Sequence, residues 1–223
     1  MPDAIASDKI RPTQRMTPQQ TAQSYDNLAE HWNGENFNRH NGVEQHRRAL
    51  QFSTKKRRAI DIGCGSSGRI LELLRAEGFE CEGLDISPEM LRLAKTRHPQ
   101  LTFHHADICE WELPRKYDFI SAWDSIWHAP LEHHETLLRK LCAGLEEDGI
   151  LIFTSGGIDQ PEERSNPVLG QPLYHAALGI PKLLEIITDC GCICRHLEYD
   201  QHPEQHLYLI VQRAKPDVAQ HET

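Results

Sequence analysis

The chain has 223 residues, 39 % of them apolar and 26 % charged, with a formal net charge of −9. Length alone suits one compact domain with some chain to spare, since domains run to about 150 residues, and the acidic balance disfavours a general attraction to nucleic acid. No run approaches the roughly 18 consecutive apolar residues of a membrane span, the N-terminus Met1-Pro2-Asp3-Ala4 lacks the layout of a secretory signal, and seven scattered cysteines then read as reduced thiols of a cytoplasmic protein.

The first sixty residues carry ten Lys/Arg against six Asp/Glu, so the remainder is strongly acidic. Residues 1–20, rich in Pro, Gln, Thr and Asp, read as a flexible leader. The cluster Lys55-Lys56-Arg57-Arg58 reads as a solvated approach to a buried strand. From Ala59 onward, short apolar runs alternate with helical patterns, which predicts β-α units around a parallel sheet. A strand over 59–62 ends in glycines. Ile70, Leu71, Leu73 and Leu74 mark a helix over 69–77 that Gly78 stops. A strand over 80–84 ends at Asp85, and Ser87-Pro88 starts a helix running to about residue 97 with an N-cap and a first-turn proline. Strands over 101–105 and 117–122, a helix over 131–143 and a strand over 150–154 follow. Residues 155–178 read as one long irregular connection of the kind that is usually functional. A last helix spans 181–190. Strands over 192–199 and 206–213 are joined so closely that they must run antiparallel. The sum is a mainly parallel sheet of seven strands with one reversed.

Between the first strand and the first helix lies Asp61-Ile62-Gly63-Cys64-Gly65-Ser66-Ser67-Gly68. It satisfies G-x-G-x-x-G, in which glycine lets backbone approach a ligand and a helix N-terminus faces it. Asp61, at the carboxyl end of the strand, repels a pyrophosphate but suits an ammonium or sulfonium group. Asp85, twenty residues after Gly65, is placed to accept from ribose hydroxyls. Together they point to a nucleoside site with a cationic partner.

These residues resemble the class I S-adenosylmethionine-dependent methyltransferases. Residues 59–65 look like that family's first motif and residues 84–91 like its second. The likeness continues through His105-Ala106-Asp107-Ile108, through Tyr117-Asp118-Phe119-Ile120-Ser121-Ala122-Trp123 and through residues 147–153. One departure is Ser67, where many members have a glycine; here Gly68 comes one residue later. The resemblance implies a Rossmann-like, doubly wound core over 57–213, an N-terminal helical lid over 21–56 and a short tail over 214–223. It implies S-adenosyl-L-methionine as cofactor. The Gly63–Gly65 backbone and Cys64 would line the methionine moiety, with Asp61 helping to place its ammonium. Asp85 would take the ribose, Ile86 the adenine face, and Asp107 and the Ile108 amide the adenine edge. Trp123 would stand at the mouth of the site. Tyr25 and Trp32, seven apart on the lid helix, would close over the methyl group, and Arg39 would meet the cofactor carboxylate.

The acceptor side is less determined. A displacement at a methyl group depends mostly on alignment, and a base is needed only where the acceptor loses a proton. His128, in the segment after the fourth strand, is the candidate base. Tyr174 and His175 are candidates for substrate contact, because this family often inserts acceptor-binding elements after the fifth strand. The fourteen histidines show no H-E-x-x-H spacing and Cys190, Cys192 and Cys194 no C-x-x-C, so no metal is expected. The leading expectation is methyl transfer to a small-molecule acceptor. The alternatives are a non-catalytic S-adenosylmethionine-binding regulator, an RNA or protein methyltransferase (the Lys55–Arg58 patch being its support) and a nicotinamide-dependent oxidoreductase.

Overall fold

The computed structural model describes residues 15–34 and 37–215, so most of the expected leader and the end of the tail lie outside the described residues. Two helices come first, α1 (Pro18–Asn33) and α2 (Val43–Leu50). Thr17 and Gln20 form a reciprocal capping box at the start of α1, with Pro18 in the first turn. The alternating region then runs β1 (Arg58–Ile62), α3 (Arg69–Ala76), β2 (Glu80–Asp85), α4 (Pro88–Arg97), β3 (Thr102–His105), β4 (Tyr117–Ala122), α5 (His134–Ala143) and β5 (Leu145–Gly156). The chain closes with β6 (Glu162–Val168), β7 (Gln171–Ala177), α6 (Ile180–Asp189), β8 (Cys192–Tyr199) and β9 (His206–Arg213). The main sheet has seven strands in the order β3-β2-β1-β4-β5-β9-β8, and β9 alone runs against the others.

The side-chain period of two sorts each strand between two cores. Ile60, Ile62, Ile120, Leu151, Phe153, Leu207 and Leu209 face α5 and α6. Their neighbours Ala59, Phe119, Ile150, Ile152, Tyr208 and Ile210 face α2, α3 and α4. Central strands buried on both faces read as the continuous apolar runs from which they were predicted. The order of the sheet reverses between β1 and β4, so the loops after those strands part and leave a crevice at the carboxyl edge. No described helix is long and apolar enough to cross a membrane.

The expected irregular connection over 155–178 is instead a second, two-stranded sheet. β5 continues to Gly156, and β6 pairs antiparallel with β7 from Glu162↔Ala177 to Val168↔Gln171. Its turn is Leu169-Gly170, both with positive φ (49° and 80°), the backbone of a tight two-residue hairpin. The strands escape a reading of apolar alternation because Glu162, Asn166 and Pro167 are exposed. The helix expected over 131–143 is shorter: two 3-10 turns, Ile126–His128 and Leu131–His133, precede it.

The basic cluster before β1 is tied to the sheet. Lys56 pairs with Glu77 at 2.6 Å. The Arg57 and Arg58 amides both donate to Asp118 Oδ2, and the Arg57 guanidinium bonds both Asp118 oxygens. Burial pushes the Asp118 carboxyl up, and these donors outweigh it, leaving the group below its ordinary value. Asp118→Ala should therefore lower stability by about 2–3 kcal/mol, since two inward amides lose their acceptor. Half-exposed Arg57→Ala should cost under about 1 kcal/mol. Urea midpoints check the difference, and it should shrink as the pH falls below about 4 and through the depressed folded-state value of Asp118, below which the carboxyl is protonated in both states.

Candidate active site

The crevice at the carboxyl edge is a cavity roofed by α1 and floored by the loops after β1, β2, β3 and β4. The first loop folds back on the sheet: the Gly63 and Cys64 amides donate to the Leu84 carbonyl at 2.7 and 3.0 Å. Gly63 has φ +72°, and a Cβ there would stand 2.3 Å from Ser125 Cβ. Gly65 has φ +59°, and the space beside it is open. Only glycine meets both demands cheaply. Asp85, from the end of β2, ties the loop down. Its Oδ2 accepts from the Gly65 amide at 2.8 Å and its Oδ1 from the Ser87 amide at 2.9 Å. Each oxygen keeps a further lone pair for a ligand hydroxyl. Burial nevertheless pushes Asp85 upward.

Most of the expected donor-side residues come together here. Gly63, Cys64, Gly65, Asp85 and Ile86 line the floor, and Asp107 and Ile108 line it after β3. Trp123 and His128 form the wall beyond β4, with Tyr25 and Trp32 overhead on α1. Asp61 does not line the cavity. It is buried behind the loop, where its Oδ1 lies 2.7 Å from Ser121 Oγ and burial pushes its carboxyl up to about 6. Tyr174 and His175 stand apart too. Tyr174 is buried, donating to Glu163 at 2.7 Å and accepting from the Leu131 amide. His175 lines a second cavity beyond the wall.

His128 is held on every side. Its Nδ1 hydrogen goes to the Tyr174 carbonyl at 2.7 Å, so Nε2 carries the lone pair. That lone pair accepts from Tyr25 Oη at 2.7 Å and from Trp127 Nε1 at 3.0 Å. Burial, then the neighbouring His175, lowers the imidazole to about 3. Burial, then Asp85 and Asp124, pushes the Tyr25 phenol far up. The two form a neutral hydrogen-bonded pair.

Several functional residues escaped the sequence. Arg39 is exposed; the cation of the cavity is Arg69. Its Nε donates to the Asn41 carbonyl at 2.7 Å, one terminal nitrogen donates to Ser67 Oγ at 3.2 Å, and it lies 5.0 Å over the Phe37 ring. The serine that departs from the family's glycine thus helps aim a guanidinium. Asp26 fastens α1 to the start of α4, accepting from Ser87 Oγ at 2.5 Å and the Glu89 amide at 3.2 Å. Asp124, at φ +49°, lines both cavities. Its Oδ1 accepts from His206 at 2.9 Å and its Oδ2 from Asn41 at 2.9 Å, while the other His206 nitrogen bonds Asp200. Arg69 had a signal, its place directly after the last loop glycine. His206, 82 residues from its partner, had none.

The cavity sets three carboxylates, Asp85, Asp107 and Asp124, against one guanidinium. Seven buried side-chain polar atoms lack a hydrogen-bond partner among the described residues, and five belong to its lining: Thr21 Oγ1, Trp32 Nε1, Ser66 Oγ, Trp123 Nε1 and Ser125 Oγ. Orphaned buried groups are rare in folded proteins. Concentrated here, they fit a polar ligand, and the excess of carboxylates favours one carrying positive charge.

Comparison with known proteins agrees. Residues 34–208 match the methyltransferase domain family. A trans-aconitate 2-methyltransferase from Afipia carboxidovorans is 35 % identical over 130 residues, 54 % of this chain and 50 % of that protein. A dTDP-3-amino-3,6-dideoxy-alpha-D-glucopyranose N,N-dimethyltransferase from Streptomyces fradiae is 28 % identical over 50 % of this chain and 47 % of its own. The chain thus spans about half the length of these relatives. In structure, the CcbJ methyltransferase from Streptomyces caelestis superposes with a TM-score of 0.67 at 12 % identity, covering 87 % of this chain and 98 % of that one. At that identity the likeness is one of fold. With the family match and the site geometry, it identifies the chain as a member of the class I S-adenosylmethionine-dependent methyltransferases.

Proposed function

We propose that the protein transfers the methyl group of S-adenosylmethionine to a small-molecule acceptor, and that the acceptor occupies the second cavity. The observation that carries this reading is the shared wall. The cavity under α1 and the second cavity, about 320 Å³, both reach Asp124, with Trp127 and His128 beside it. A space of that size suits a small molecule. Relatives named for trans-aconitate and for an amino sugar support the same scale of acceptor. The β6–β7 hairpin and the β8–β9 loop supply its polar lining, with Arg164, His175 and Gln205.

On the donor side, Asp85 would receive the ribose hydroxyls, and Asp107 and Ile108 would face the adenine. The charged Arg69 would meet the methionine carboxylate, and the remaining carboxylates favour the sulfonium that makes the methyl group transferable. Tyr25 roofs the donor cavity and His128 holds its phenol by hydrogen bonding. An acceptor held at the shared wall that must lose a proton has a route here: its proton passes to Tyr25 Oη as the Tyr25 proton passes to His128 Nε2. The low affinity of His128 for protons makes its imidazolium transient, and the proton returns through Tyr25 Oη to solvent as the product leaves. Most of the acceleration then comes from holding donor and acceptor in line.

The test is an unbiased metabolite screen for S-adenosylhomocysteine formation. Product with a small metabolite supports the reading; S-adenosylmethionine binding without product from any pool would favour a regulatory binding protein. Tyr25→Phe should leave cofactor affinity within about threefold and lower turnover about 10²-fold if a proton is transferred. An unchanged rate removes Tyr25 from the chemistry. Gly65→Val should cost about 1–3 kcal/mol in denaturation, from its positive φ, and abolish cofactor binding by calorimetry, because the branched side chain fills open cavity. Normal binding by that variant would contradict the loop's assignment.

A further inference from the structure

Behind the glycine loop, side chains from three elements form a closed chain of contacts. His46 of α2 is fully buried, with Nδ1 2.6 Å from the Gly42 carbonyl and Nε2 3.0 Å from Ser121 Oγ. Ser121 Oγ, on β4, lies 2.7 Å from Asp61 Oδ1 on β1. Each contact needs one hydrogen between its two heavy atoms. The Gly42 carbonyl cannot donate, so Nδ1 carries its own. Ser121 owns one hydrogen and serves one of the two remaining contacts. The last must come from Nε2, making His46 a cation, or from Asp61, making it a neutral acid. A neutral imidazole, a hydroxyl and a carboxylate are one hydrogen short, and two lone pairs would then face each other in a buried site.

The surroundings decide which group holds the extra proton. Burial, and then the charge of Arg69 on α3, oppose an imidazolium at His46; the Gly42 carbonyl and, more weakly, Asp124 after β4 favour it, and burial prevails. Asp61 faces Asp85 of β2, which with burial favours the neutral acid, while Ser121 and Arg69 oppose it. The neighbouring Cys64 and Cys81 thiols are pushed up by burial and are uncharged. We propose that His46 and Ser121 act as positioning residues that hold Asp61 as a protonated, uncharged acid behind the glycine loop, and that binding of the cationic cofactor drives this proton off to solvent. The inference rests on the loop's holding S-adenosylmethionine, which carries a sulfonium and an ammonium against one carboxylate. Asp61–COOH becomes Asp61–COO⁻, Ser121 turns its hydrogen from His46 Nε2 to the carboxylate, the Ser121–His46 contact is left without a hydrogen at a cost that the attraction of the cation offsets, and the proton is taken up by buffer. The ionised Asp61 then faces the cation through the loop, without touching it. The carboxyl is pushed up to about 6 in the free protein, so the exchange belongs to mildly acidic pH.

Carbon-13 NMR of aspartate carboxyls in the full chain tests the first half without any cofactor. Asp61 should titrate near pH 6 while the ring nitrogens of His46 keep the shifts of a neutral imidazole. His46→Gln should lower the pH at which Asp61 titrates, because the glutamine amide donates to Ser121 Oγ and leaves the serine hydrogen to the carboxylate, while burial keeps the group above the ordinary carboxylate range near 4. Titration of wild-type Asp61 below about pH 4.5, or no movement in His46→Gln, would overturn the shared proton, and the wild-type measurement needs no variant to fold. Calorimetry of S-adenosylmethionine binding, in two buffers of different ionisation heat, tests the second half. At pH 6 the wild type should release about half a proton and His46→Gln less, and wild type at pH 8 should release almost none. Binding at pH 6 with no release overturns the displacement, whereas no binding at any pH defeats the methyltransferase reading while the NMR result stands by itself.

Discussion

Acidic side chains crowd the carboxyl edge of the sheet, and the repulsion among them shapes everything built above it. Asp61 stands one residue before the end of β1, Asp85 ends β2, and Asp107 and Asp124 stand just beyond β3 and β4. Like charges this close and this buried must be neutralised locally. The protein uses a different device for each. Asp85 takes two backbone amides, which is also what gives the glycine loop its path. Asp107 accepts from the Cys109 amide two residues on. Asp124 takes an imidazole and an amide side chain. Asp61 is left with one serine hydroxyl and a distant guanidinium. The one cation of the described cavity lining, Arg69, acts on Asp61 and Asp124, so a positively charged ligand would complete an electrostatic balance that the chain leaves open.

The roof follows from the floor. α1 covers the cavity because polar anchors along its length find partners below. Asp26 reaches Ser87 and the Glu89 amide, Tyr25 reaches His128, and Asn27 reaches Gln171 at 2.9 Å. At its end, Asn33 accepts from Arg97 at 2.7 Å. Two of these partners follow β2 and β4, and one belongs to β7. The helix therefore senses the donor side and the hairpin together. His128 makes the link explicit, since one ring nitrogen serves the roof and the other the Tyr174 carbonyl.

The donor side was legible in the sequence because its parts are short-range. A strand, a glycine turn and a helix start lie within ten residues, and Asp85 stands at a fixed offset from them. The doubly wound order follows from apolar runs alternating with helical periods. What stayed hidden depends on contacts between distant segments. The β6–β7 hairpin buries Leu173, Tyr174 and Ala176 but presents charged and polar residues outward, and a proline faces a proline across it. Leu169-Gly170 was its only local sign. His128 was legible as a site residue from its position after β4, yet its hydrogen-bond state was not, because the carbonyl that fixes its tautomer comes from residue 174. Asp61 was legible as an acid and not as a buried one, since nothing in its motif announces His46, fifteen residues earlier on another element.

Asp124 shows why the two cavities cannot be considered separately. Aspartate tolerates a left-handed backbone better than most residues, and the Asp124 amide is secured there by donating to Thr154 Oγ1 at 2.8 Å. With both nitrogens of His206 bonded to carboxylates, its imidazole is held charged; burial opposes this and the two acids outweigh it. The imidazolium fixes one Asp124 oxygen from the β8–β9 side, while Asn41, on the loop below α1, fixes the other. That same loop passes its carbonyl to Arg69 and packs Gly42 against Trp123. A displacement of that loop would therefore release an oxygen of the carboxylate that walls both cavities. Access to the first cavity and the charge facing the second are joined through one side chain.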